Sequence, residues 1–217
     1  VADIPVTLGG IAQHNVQNAV IAAAACYCLA MPAENISHAL SSFVENPGRL
    51  NMLDLGDFKV CVDYGHNPAG YPSLIDTVKR MGARRLVGVI GAPGDRRDDV
   101  TLDVGRMAGR GFDYIYIKED YDLRGRQSGV VADLLRAGAL EAGMPPENIT
   151  TILPEKEAVS AALSAARAGD LIVVFFEKYE EIMDVVGDFS RRRSVTAPER
   201  GYDLVFDEDK IPVNWPI

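Results

Sequence analysis

Five apolar runs recur along this chain, and each is continuous where a half-exposed strand would alternate with polar residues. They are 58–63, Arg85-Leu86-Val87-Gly88-Val89-Ile90, Tyr114-Ile115-Tyr116-Ile117, Ile149-Thr150-Thr151-Ile152-Leu153 and Leu171-Ile172-Val173-Val174-Phe175-Phe176. Continuity marks strands covered on both faces. Their starts lie roughly 20 to 36 residues apart, room for a crossover helix between successive parallel strands. The expected fold is therefore α/β: a Rossmann-like, mostly parallel sheet flanked by helices. Arg49–Leu55 is expected to add an antiparallel edge strand.

The first 46 residues follow a different pattern. Residues 3–9 read as a short strand ended by Gly9-Gly10. An Ala-rich helix then runs from His14 to about Met31, and a second from about Ala33 to Val44 after Pro32. Asn46-Pro47-Gly48-Arg49 punctuates strongly and marks the boundary. This gives a short helical unit over 1–46, the α/β domain over 47–189 and an extended tail over 190–217. In the tail, Arg191-Arg192-Arg193 is basic, Asp207-Glu208-Asp209 is acidic, and Pro198, Pro212 and Pro216 forbid long regular structure. A solvated tail is the plainer reading and a partner-binding arm the other.

Composition narrows the function. A chain of 217 residues with 47% hydrophobic content can bury a real core. A net charge of -9 and a pI near 4.8 argue against nucleic acid, whose phosphates call for clustered Lys and Arg. Cys26, Cys28 and Cys61 lie in apolar segments without disulfide or metal-ligand spacing. They read as buried free thiols in a reducing cytoplasm, with no metal site. No apolar stretch reaches the roughly 18 to 20 residues of a membrane span. The start Val1-Ala2-Asp3-Ile4 lacks an initiator Met and is expected to be a cut within a longer protein.

Four polar clusters and one motif interrupt the predicted elements. Asp63-Tyr64-Gly65-His66-Asn67-Pro68 puts a carboxylate, an imidazole and a carboxamide at the carboxyl end of the strand 58–63, where open α/β sheets hold ligands. Capping by Asp63 and ordinary turn roles for His66 and Asn67 are the plainer alternative. His14-Asn15-x-x-Asn18 brings residues 14 and 18 to one helix face, and carboxamides suit an adenine edge; helix capping by Asn15 is the local alternative. Pro47-Gly48-Arg49 puts a guanidinium on a hinge, within reach of a phosphate or ribose. Gly91-Ala92-Pro93-Gly94-Asp95-Arg96-Arg97-Asp98 is glycine-rich but has neither Walker A nor dinucleotide spacing. Lys118-Glu119-Asp120-Tyr121-Asp122-Leu123-Arg124-Gly125-Arg126 offers carboxylates for a cationic group and arginines for a carboxylate, as an amino-acid pocket requires, or is a charged connecting loop.

In order and spacing, these motifs resemble the ATP-dependent Mur ligases. Within that superfamily the chain is most similar to the carboxyl-terminal, Mur-like part of the cyanophycin synthetases. The resemblance covers about residues 8–186 and rests on Asp-Tyr-Gly-His-Asn-Pro, Gly-Asp-Arg-Arg-Asp and the Lys-Glu-Asp…Arg-Gly-Arg stretch. It implies a reaction in which ATP phosphorylates a carboxylate and an amino acid's amine attacks the acyl phosphate to form an amide. For the cyanophycin branch, that means arginine added to the side-chain carboxylate of a polyaspartate backbone. By the same resemblance, residues 1–46 end an ATP-binding central domain. His14, Asn15 and Asn18 would serve adenine; Arg49 and Asp63 the ribose and phosphates; Asp63, His66 and Asn67 the catalytic cleft. Asp95, Arg97, Asp120, Asp122 and Arg124 would serve the incoming amino acid.

Two departures qualify this picture. The Gly-x-x-Gly-Lys-Thr loop that holds triphosphate in such ligases is absent from these residues, so ATP and Mg2+ are expected to be held mainly by the central domain and the piece alone to be inactive. Phe175-Phe176-Glu177-Lys178-Tyr179-Glu180 stands where wall-building relatives carry Gly-Lys-Gly-His-Glu, and their Asp-Asn-Pro-Arg motif has no clean equal near Asp120. Another Mur-type ligase, peptidoglycan or glutamate-adding, is the alternative; a non-catalytic binding module is a third reading. The sequence leaves a homo-oligomer open.

Overall fold

The computed structural model describes residues 3–65 and 70–194. Glu45–Arg193 forms one compact unit, and the described residues before Glu45 belong to another. That earlier unit holds helices α1 (Gln13–Cys28) and α2 (Ala33–Ser42). The strand expected over residues 3–9 is absent. Pro5–Thr7 instead makes a single 3-10 turn, closed by Leu8 in the left-handed region at φ 53° with its N–H on the Pro5 carbonyl. Proline suits the first position of such a turn because it has no N–H to leave unpaired. Thr7 donates its hydroxyl to the Ile4 carbonyl at 2.7 Å. Of the three thiols expected to be buried, only Cys61 is; Cys26 is half-buried and Cys28 exposed.

The second unit is built on six strands: β1 (Asn51–Asp54), β2 (Lys59–Asp63), β3 (Arg85–Ile90), β4 (Tyr114–Ile117), β5 (Ile149–Thr151) and β6 (Asp170–Phe175). They form one sheet in the order β1-β2-β6-β3-β4-β5. β1 pairs antiparallel with β2, and every other pair is parallel. Among the described residues five helices flank it: α3 (Gly70–Arg80), α4 (Asp98–Gly111), α5 (Val130–Glu141), α6 (Glu155–Ser164) and α7 (Tyr179–Ser194). On one sheet face Val60, Val62, Val87, Val89, Ile172 and Val174 form a core with residues of α6 and α7. Burying such a side chain stabilises by about 1.5–3 kcal/mol.

On the opposite face the ring of Phe112, just after α4, occupies the space a Gly88 side chain would need. α4 and α5 approach backbone to backbone. A Cβ on Gly105 would collide with the Leu135 carbonyl, and one on Gly138 with the Leu102 carbonyl. α7 runs through Arg191-Arg192-Arg193 to Ser194, so the tail placed from 190 begins inside a helix. Three cations in a last helical turn face the unpaired carbonyls there, which favours helix over tail. The rest of the tail, 195–217, lies outside the described residues.

The topology fixes where chemistry belongs. β6 is last in sequence yet sits between β2 and β3, so the chain leaving β2 crosses over it to reach β3. The carboxyl ends of β2, β6, β3 and β4 therefore make one rim beside a topological switch point.

Candidate functional site at the carboxyl rim of the sheet

Asp63 ends β2 and is 9% exposed. Its Oδ2 accepts the Leu50 N–H at 2.8 Å and its Oδ1 the Gly65 N–H at 2.6 Å. The carboxylate thus pegs the turn 46–50 to the strand end. That turn is tight: Leu50 sits at φ 51° and Gly48 at φ 76°. A Cβ on Gly48 would lie 2.7 Å from Cζ of Phe176. The Gly48 N–H donates to Asn51 Oδ1 at 2.5 Å, and the Gly48 carbonyl accepts the Tyr64 N–H at 2.9 Å. Arg49 is exposed, its Cζ 5.1 Å from the Tyr64 ring centroid, and pairs with no carboxylate among the described residues. Cys61, two residues before Asp63, is no nucleophile: burial first, then the charge of Asp63, pushes its thiol well above the ordinary value. His66 and Asn67 lie outside the described residues.

At the end of β4 the charged cluster begins buried, at Lys118 and Glu119, and is exposed at Tyr121, Asp122 and Arg124. Lys118 is 1% exposed, with Nζ 2.6 Å from Asp120 Oδ1 and 2.8 Å from Glu155 Oε1. Burial pushes the ammonium towards its neutral form, but the two carboxylates outweigh it and hold Lys118 above the ordinary lysine range. Glu155, also 1% exposed, accepts the Glu177 N–H at 2.7 Å and the Lys178 N–H at 3.5 Å. Glu177 in turn accepts the backbone N–H groups of Tyr121 and Asp122. Glu119 accepts the Ser128 hydroxyl and the Gly129 N–H. Asp120 keeps 14% of its side chain exposed.

The two loops beyond β3 and β4 form one wall. A Cβ on Gly94 would strike the Leu123 carbonyl. Arg126 donates to the carbonyls of Gly94 and Arg96 and pairs with Asp98 at 2.6 Å. Arg124 pairs with Asp95 at 2.7 Å, a contact that holds the Asp95 carboxyl below its ordinary value. Two residues expected to meet the amino acid therefore meet each other. Asp122 accepts the Arg124 N–H at 2.9 Å, and exposed Arg97 pairs with Asp99. Of that expected set, Asp120 is the member locked into the buried network.

Glu155, Glu177 and Tyr71 did not emerge from sequence reasoning. Their only signals were an acid opening a helix after Pro154, an acid just beyond a strand, and an aromatic in the first turn of α3.

In the earlier unit, His14, Asn15 and Asn18 share α1. The Asn15 carboxamide donates to the Val6 carbonyl at 2.7 Å, and Asn18 donates to Asn15 Oδ1 at 3.4 Å. Asn15 thus ties α1 to the 3-10 turn and does not cap α1, whose first turn has no side-chain cap.

A mostly parallel sheet flanked by helices, with carboxylates on the rim at its switch point, defines an α/β domain of the Rossmann-like kind. Residues 48–175 match the family described as Mur ligase, glutamate ligase domain. The chain belongs to this family, one of ATP-dependent ligases. It is 38% identical over 188 residues to the cyanophycin synthetase of Crocosphaera subtropica and 40% identical over 188 residues to that of Geminocystis herdmanii. Each alignment covers 85% of this chain and 21% of the relative. Against the UDP-N-acetylmuramoyl-L-alanyl-D-glutamate–2,6-diaminopimelate ligase of Corynebacterium efficiens it is 32% identical over 182 residues, covering 82% of this chain and 34% of that one. The chain thus spans about a fifth of the length of the cyanophycin synthetases it matches. Among solved structures, the UDP-N-acetylmuramate-alanine ligase of Thermotoga maritima superposes with a TM-score of 0.62 at 16% identity, over 84% of this chain and 38% of that one. MurF of Acinetobacter baumannii gives 0.62 at 20% identity, over 82% and 38%. These two show the shared fold.

Proposed function

We propose that this chain is the carboxyl-terminal part of an ATP-dependent amide ligase of the cyanophycin-synthetase kind, adding arginine to the side-chain carboxylate of a polyaspartate backbone. The observation that carries the reading is the rim itself: Asp63 at one strand end and Lys118-Asp120 at another face one switch point, in a sequence 38 to 40% identical to two cyanophycin synthetases. In this reading residues 1–46 end the ATP-binding central domain and residues 47–189 form the ligase domain.

Arg49 fits a nucleotide phosphate or ribose, because its guanidinium is exposed and pairs with no carboxylate among the described residues. Asp63 positions Arg49 by holding the next residue, Leu50, and stands beside the ribose. His66 and Asn67 are assigned to the cleft, and His14, Asn15 and Asn18 to adenine. The described residues gather no group of three or more His, Cys, Asp or Glu, and ATP and Mg2+ are assigned mainly to the central domain. ATP supplies the phosphoryl group that activates a carboxylate, and the amine of the incoming amino acid then displaces phosphate to form the amide. Asp120 and Asp122 draw the cationic amino acid, while Lys118, Glu155 and Glu177 keep that loop in place. Asp95, Arg97 and Arg124 are assigned to the outer entry. Because these residues hold no triphosphate loop, turnover is assigned to the full-length protein.

The test is ADP release by the full-length protein over a panel of amino acids with a polyaspartate acceptor. Release that depends on arginine is expected. Release that depends on glutamate or diaminopimelate favours a different Mur-type ligase, and none with any amino acid favours a binding module.

A further inference from the structure

Tyr71 lies in the first turn of α3, with its ring stacked on Phe175 at a centroid distance of 4.1 Å and an interplanar angle of 7°. Phe175 ends β6 and pairs in register with Asp63 on β2. The Phe175 ring and Asp63 Oδ1 both crowd the space where a Gly65 side chain would stand. The stack therefore sits at mid-rim, with Asp63 on one side. On the other, the Lys118 side chain passes Gly91 at the end of β3 on its way to Asp120.

The Tyr71 residue is 0% exposed, and its hydroxyl has no hydrogen-bond partner among the described residues. A buried polar group left unpaired costs roughly 1–3 kcal/mol, and native cores rarely keep one without a use. The sign of the field says what would pair with it. Burial first, then the charges of Asp120 and Asp63, drives the phenol far towards its neutral form. A neutral phenol oxygen in the field of two carboxylates repels an anion and welcomes a cationic N–H donor.

We infer that the Tyr71 hydroxyl accepts a hydrogen bond from the α-amino group of the incoming amino acid, making Tyr71 a substrate-binding residue of the rim. This rests on the ligase reading above. The reacting nitrogen has to lie between the nucleotide side, at Asp63, and the amino-acid side, at Asp120, and Tyr71 lies between them. The side-chain cation of the substrate is left to Asp120 and Asp122.

The test uses the full-length protein with Tyr71→Phe, which keeps the stack and removes only the hydroxyl. Binding of L-arginine is compared with that of 5-guanidinopentanoic acid, its analogue with hydrogen in place of the α-amine. The inference predicts arginine binding about tenfold weaker, the size of one charge-assisted hydrogen bond, with 5-guanidinopentanoic acid binding, the KM for ATP and the Mg2+ dependence unchanged and thermal stability not lowered. Unchanged arginine binding overturns it and leaves the hydroxyl to a water. Equal weakening of 5-guanidinopentanoic acid overturns it in favour of another part of the substrate. A shift in ATP or Mg2+ dependence, or a drop in stability that tracks the loss of binding, overturns it too. If the wild-type protein uses a different amino acid, the arginine reading fails alone, and Tyr71→Phe is scored on that amino acid against its own analogue lacking the α-amine. If it binds none, both fail.

Discussion

The same sheet carries an ion pair built on a buried residue at each end, and the two are finished differently. At the amino edge, Arg85 grips Asp170 with two bonds, Nε to Oδ1 at 3.1 Å and Nη2 to Oδ2 at 2.5 Å. The Arg167 N–H adds 2.7 Å to the same carboxylate, and Arg85 also reaches the Ala165 carbonyl. Asp170 joins the strand start to the α6–β6 loop, and both its oxygens are engaged. At the carboxyl edge, Lys118, Asp120 and Glu155 are as closely paired, yet Asp120 keeps an exposed side and the Tyr71 hydroxyl has no partner among the described residues. Closed polar networks hold a fold together. Open ones, whose last partner is not part of the chain, mark where a ligand completes them.

That contrast can be broken in order of expected effect. Glu155→Ala removes a carboxylate from buried Lys118 and the acceptor of two backbone N–H groups. It should destabilise the chain by about 3–5 kcal/mol in urea unfolding, whereas a loss under about 1 kcal/mol, the range of exposed pairs, would mean the carboxyl-edge network is surface decoration.

Asp170 gives a pH signature instead. Burial raises its carboxyl, but the hydrogen bonds from Arg85 and from the Arg167 amide outweigh it, and the net shift is downward. A carboxyl depressed in the folded state stabilises above its unfolded value, near pH 3.9, and loses that contribution as pH falls through the lower, folded value. Unfolding free energy should therefore drop below about pH 4 in the wild type, with part of the drop absent in Asp170→Asn. Identical pH profiles would contradict the pairing. The smallest effect is Tyr71→Phe, which should leave unfolding free energy unchanged or raise it by up to about 1 kcal/mol, because it removes an unpaired buried hydroxyl. A loss of 1 kcal/mol or more would mean the hydroxyl is paired after all.

Much of the fold was legible because burial on both faces leaves an unmistakable mark in sequence. The runs at 85–90 and 114–117 are strands over those same residues, 58–63 starts one residue early, 171–176 is shifted by one at both ends, and 149–153 overruns its strand by two. Asp63 was legible as a polar residue closing an apolar run. What it does locally was not, because its partner Leu50 lies 13 residues back on a turn whose left-handed φ has no sequence mark. The Lys118–Glu155 pair spans 37 positions and joins residues that look like ordinary surface charges, so only the folded chain reveals it. The failed strand at 3–9 shows the reverse problem: an apolar segment opened by proline can bury Thr7 and Leu8 through a tight turn as readily as through a strand. Arg191-Arg192-Arg193 misled for a related reason, since a basic cluster suits a helix end as well as a tail.

The claim on which the account turns is that the carboxyl rim is half of a nucleotide-dependent amide-forming site. Its most direct test is amino-acid-dependent ADP release by the full-length protein carrying Asp63→Ala, with folding checked by circular dichroism. The account predicts turnover lower by about two orders of magnitude or more, the scale at which misplaced binding groups tell, with the fold retained. Turnover equal to wild type would contradict it.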